Sequence, residues 1–80
     1  MAFDAKRAEE QLEAAGWTKV RLSAEALGYT PADPNQMYEV WIRSNVPHVR
    51  IEQEGWSYNQ GGGVDSGDDN ISLADFLETR

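Results

Sequence analysis

Eighty residues without a cysteine make one domain, too short for two cores and closed to disulfides and thiolate metal sites. The formal charge is −7, which disfavours general nucleic-acid binding because phosphates are repelled at long range. No apolar run approaches the roughly 20 residues of a membrane-spanning helix, and the charge is lopsided: residues 1–50 carry seven acids and six bases, whereas residues 51–80 carry seven acids and the single base Arg80.

In chain order, Asp4 is placed to cap a helix over Ala5–Ala15. Ala5, Ala8, Leu12 and Ala15 recur there at three- and four-residue steps as one apolar seam. Gly16 stands where a left-handed C-terminal residue belongs, and Glu9, Glu10 and Glu13 cover the outer face with Lys6 spaced to pair with them. The same stretch lacks the continuous apolar segment of a signal peptide, so the expected location is cytoplasmic. Thr18–Leu22 alternates, Val20 and Leu22 against Lys19 and Arg21, and reads as a strand. Ser23 can cap a single turn, AEAL, closed by Gly28, and YTPADPNQ with its two prolines is a loop.

Met37–Arg43 is the clearest strand, with Tyr38, Val40 and Ile42 expected on the core face and Glu39, Trp41 and Arg43 on the open one. Ser44–Asn45 can turn the chain into a strand over Pro47–Gln53, where Val49 and Ile51 alternate with His48, Arg50 and Glu52. A short strand follows at Trp56–Tyr58, and NQGGGVDSGDDN then reads as a flexible acidic connection. Ser72 and Asp75 fit a capping box with Ile71 and Phe76 as its staple, and Leu73, Phe76 and Leu77 supply a buried stripe. The expected fold is α+β: a three- or four-stranded antiparallel sheet with an N-terminal and a C-terminal helix on one face, in a single domain over residues 1–80.

The chemistry-bearing patterns are few. The glycine run is followed by Val64 and Asp65 where a phosphate-binding loop needs Lys and Ser or Thr. An EF-hand centred on Gly67 would place Gly62 and Val64 at ligand positions, and the calcium-binding nonapeptide needs repeats that are absent. Asp65, Asp68 and Asp69 could donate oxygens to an irregular calcium site, although acidic loops are by default hydrated. His48 is the one histidine and has no nucleophile or second imidazole set beside it in sequence; it reads as a surface residue. Glu52 and Glu54 share a strand face, but so small a core leaves little to line a pocket that would raise a carboxyl pKa. The expectation is a protein that is not an enzyme and uses no cofactor.

Two surfaces could serve a partner. Lys19, Arg21, Trp41, Arg43, His48 and Arg50 would share the open sheet face, giving an aromatic-bearing interaction surface around Trp41 or a nucleic-acid-stacking sheet. The other is the acidic run. Glu52, Glu54, Asp65, Asp68, Asp69, Asp75 and Glu78 occur in a segment with no base before Arg80, and together they could present carboxylates as a nucleic-acid backbone presents phosphates.

In its format (short, free of cysteine, acidic, α+β and without an enzyme motif) the chain resembles the small anti-CRISPR proteins of phages and other mobile elements. No residue role carries over, because those proteins share a function and not a motif. The resemblance implies an acidic DNA mimic, acting as a monomer in a bacterial cytosol. It would occupy a basic surface on a subunit of a type I CRISPR effector, the Cascade complex, and block target DNA without itself binding nucleic acid or membrane.

Overall fold

Five short strands, each bounded by a turn or a glycine, pair with their sequence neighbours into one antiparallel sheet, β1-β2-β3-β4-β5. The computed structural model describes residues 3–29, 33, 35–44, 47–59 and 64–79, and only the backbone of Val64. In order the elements are α1 (Ala5–Ala14), β1 (Thr18–Ser23), α2 (Ala24–Leu27), β2 (Met37–Ile42), β3 (His48–Ile51), β4 (Trp56–Asn59), β5 (Val64–Gly67) and α3 (Asn70–Glu78). The α+β architecture with terminal helices is as the sequence leads one to expect, with one strand more. The glycine run at 61–63, most of the proline-rich loop and the Ser44–Asn45 turn lie wholly or partly outside the described residues.

The extra strand comes from inside the acidic connection. Beyond Val64, VDSG holds two residues of low strand propensity, Asp65 and Gly67, yet β5 pairs along β4, with Trp56 opposite Gly67 and Tyr58 opposite Asp65. An edge left open on β4 would expose its unpaired backbone groups. Gly67 permits the pairing, because a Cβ there would collide with Ser72 Oγ and the Trp56 indole nitrogen.

Local signals account for the first helices. Asp4 accepts the Arg7 amide at 3.1 Å and starts α1, while Gly16 at φ 89° and Gly28 at φ 80° make left-handed turns after α1 and α2. Ser23 accepts the Ala26 amide and starts α2. The cap of α3 lies three residues earlier than the S-x-x-D pattern implies. Asp69, not Ser72, is the N-cap, and its carboxylate accepts the Ser72 amide at 2.7 Å. Ser72 is committed elsewhere, its hydroxyl donating to the Asp69 carbonyl and accepting the Trp56 Nε1 proton at 3.0 Å. Ile71 is accordingly no staple and stands 64% exposed.

This cap has a pH signature. The Ser72 amide holds the Asp69 carboxyl below its ordinary range. A carboxyl with a depressed folded-state pKa stabilises the fold above its unfolded value near pH 3.8, and that contribution disappears as pH falls through the folded value. Asp69→Ala is therefore expected to melt below wild type at neutral pH, and the gap should close under acid conditions, as read from thermal unfolding across pH 2–7.

The main core lies between the sheet and the pair α1 and α3. Trp41, Val49, Trp56 and Tyr58 rise from the sheet to meet Ala8, Leu12, Trp17, Leu73 and Phe76. The two helices are joined by a polar clasp. Asn70 Nδ2 donates to the Asp4 carbonyl and to Gln11 Oε1, Asn70 Oδ1 accepts the Asp4 amide, and Gln11 Nε2 donates to the Asn70 carbonyl. With Asp4 beside Asn70 and Ala15 beside Leu77, the helices run parallel.

Candidate functional site

The open sheet face assigned to Trp41 does not exist in that form. Trp41 is 6% exposed and belongs to the main core, aligned with Val49 and Tyr58 across the sheet. Lys19 lies over its ring at 5.9 Å. The Tyr38, Val40 and Ile42 stripe faces away from α1 and α3, yet Val40 is fully buried. Both faces of β2 are covered, so alternation alone cannot say which one meets the helices. The Trp41–Val49 register also divides the basic residues. Lys19 and Arg21 lie on the helix face with Trp41, whereas His48 and Arg50 lie on the other. No single basic sheet remains to stack nucleic acid, and Trp41 offers a partner little surface.

The second face has its own cover. Tyr29, just beyond α2, places its hydroxyl 2.6 Å from His48 Nε2, and its ring packs edge-on to Tyr38. His48 is 2% exposed, so it is a buried, hydrogen-bonded residue and not the surface histidine expected from strand alternation. Arg50 lies near the rings of Tyr29 and Tyr38, at 5.4 and 4.9 Å. Nothing in the loop sequence marks Tyr29 for this role.

The acids are sorted by the turns. The Glu52 amide donates to the Gly55 carbonyl at 2.8 Å, closing a tight turn that projects Glu52 and Glu54 outward. Gly55 lies directly against the backbone of Gly67 and Asp68; a Cβ there would strike the Gly67 carbonyl oxygen. Glu54 and Asp68, distant in sequence, thus flank one backbone contact, with Asp69 next along the chain. The clasp through Asn70 adds Asp4 to this end of the molecule. Sequence reasoning missed Asp4, which reads there only as a cap.

Two of these carboxylates are engaged as caps, Asp4 by Arg7 and Asp69 by Ser72. Glu52, Glu54 and Asp68 are exposed, and among the described residues none of them pairs with a base. The acids of the first half fare differently. Lys19 joins Glu9 at 3.1 Å and Glu39 at 3.5 Å, in place of the expected Lys6 pairing, and the Glu9 contact raises the lysine's pKa. The remaining acids stand apart. Asp65 is exposed on β5 opposite Tyr58, while Asp75 and Glu78 lie on the outer side of α3. Asp75 plays no capping part.

Among the described residues no three acidic or imidazole side chains come close enough to hold a metal ion, so Asp65, Asp68 and Asp69 form no calcium cluster. Among the described residues no helix is long and apolar enough to cross a membrane. Comparison with known proteins yields no match to a family model, a curated protein or a solved structure.

Proposed function

We propose that this protein is a non-catalytic inhibitor that presents its acidic end to a basic, nucleic-acid-reading protein surface and excludes DNA from it. The observation that carries the reading is the contact of Gly55 with Gly67 and Asp68, which brings Glu54 to Asp68 at one end of the sheet, with Glu52 on the same turn; all three are exposed and none pairs with a base among the described residues. A lysine- or arginine-lined surface built for phosphates would accept them through charge-assisted hydrogen bonds. The base-free stretch from Ile51 to Thr79 lets the whole second half contribute to steering. The chain's format directs the proposal to the DNA-reading surfaces of type I CRISPR surveillance complexes in a bacterial cytosol, met by a monomer without cofactor.

Binding of this kind is strongly salt-dependent. Raising ionic strength from about 0.05 M to about 0.3 M shortens the screening length roughly twofold and should weaken the complex by about tenfold or more, chiefly through slower association. Surface plasmon resonance against an immobilised type I complex reads this directly. An affinity indifferent to salt would count against an acidic mimic.

A further inference from the structure

We infer that the outer side of the helix layer is a docking groove for a basic amphipathic helix, one with large aliphatic side chains on one face and Lys or Arg along its edges. This rests on the proposal that the chain binds basic proteins, and it specifies the kind of partner segment that a second surface receives.

The parallel packing of α1 and α3 leaves a groove of about 360 Å³ between them, lined by Gln11, Ala14, Ala15, Ala74, Leu77 and Glu78. Small side chains keep its floor low, and Ala14 and Ala74 are exposed there. Ile71, Ala74 and Glu78 recur at i, i+3 and i+7 and form one row along the outside of α3. Ile71 at its head is 64% exposed, although its two neighbours along α3, Asn70 and Ser72, are both hydrogen-bonded to other parts of the chain. Two parallel helices with a low floor accept a third helix at ordinary packing distance.

Charge selects the occupant. Glu10 and Glu13 on α1 and Asp75 and Glu78 on α3 are all exposed beside the groove, against the exposed bases Lys6 and Arg7 at the start of α1. A helix with Lys or Arg at its edges would pair with these carboxylates as flanking charges do in a coiled coil. A second copy of this chain would instead set acidic rim against acidic rim.

The test is an NMR titration of the full ¹⁵N-labelled chain with a synthetic Leu/Lys amphipathic peptide of about 18 residues, long enough to form a helix on contact. A scrambled peptide of the same composition is the control. The expected result is amide shifts centred on Gln11–Ala15 and Ile71–Glu78, with the amphipathic peptide binding at least about tenfold more tightly than the scrambled one. Ala74→Arg, at an exposed position, should abolish that preference, and the triple variant Glu52→Lys, Glu54→Lys, Asp68→Lys should keep it. Equal affinity for both peptides, or an unchanged preference in Ala74→Arg, overturns the groove. Shifts confined to Glu52–Gly55 and Asp68 also overturn it, while leaving the acidic-end proposal standing.

Discussion

Phe76→Ala is expected to destabilise the fold by about 3–5 kcal/mol, the usual cost of truncating a buried aromatic residue. Phe76 is the residue on which three other aromatics converge, with ring centroids at 5.0 Å from Trp56, 4.8 Å from Tyr58 and 6.3 Å from Trp17. Trp56 and Tyr58 come from β4, and Trp17 from the turn after α1. Removing the ring therefore opens a void where α3, α1 and the sheet meet, and none of these rigid elements can move in to fill it. A domain of this size has a total stability toward the low end of about 5–15 kcal/mol, so the loss is a large share of it. Urea denaturation followed by tryptophan fluorescence gives the value. A cost below about 1 kcal/mol would mean that α3 does not seat on the sheet as described.

Gly55→Ala should have the next largest effect on folding, about 1–3 kcal/mol from overpacking. Gly55 does not adopt a positive φ, so alanine meets no conformational objection there. Its methyl group would meet the backbone carbonyl oxygen of Gly67, an atom held in the β4–β5 pairing that cannot swing aside as a side chain would. Either the β3–β4 turn lifts or the β5–α3 junction shifts. Both outcomes move Glu52 and Glu54 away from Asp68, so the variant should lose partner affinity together with stability. Unchanged stability on thermal melting would mean that Gly55 and the Gly67 carbonyl are not in direct contact.

Much of the fold is legible in the sequence because local rules and tertiary packing agree there. Asp4, Ser23 and Gly28 mark helix ends by their own chemistry, and the Ala8–Leu12 seam faces the core. Two features escape for physical reasons. β5 forms because β4 needs a partner and Gly67 admits the Trp56 indole, facts that reside in β4 and α3 and not in VDSG. The facing of β2 escapes because a small α2 and Tyr29 cover its second side, which gives both alternating stripes buried members. At the candidate site the acids themselves are plain in the sequence. Their grouping is not, since it depends on one glycine-mediated contact between residues 55 and 67. The same contact leaves Asp65, Asp75 and Glu78 outside the group.

The decisive measurement is displacement of target DNA from a purified type I CRISPR surveillance complex by this protein and by its Glu52→Lys, Glu54→Lys, Asp68→Lys variant. These three side chains are exposed and unpaired among the described residues, so the variant should melt within a few degrees of wild type. If the acidic end carries binding, wild type displaces DNA, and the variant needs on the order of 100-fold more protein to do so. A variant with an unchanged melting temperature that displaces DNA as well as wild type would contradict the acidic end as the binding surface.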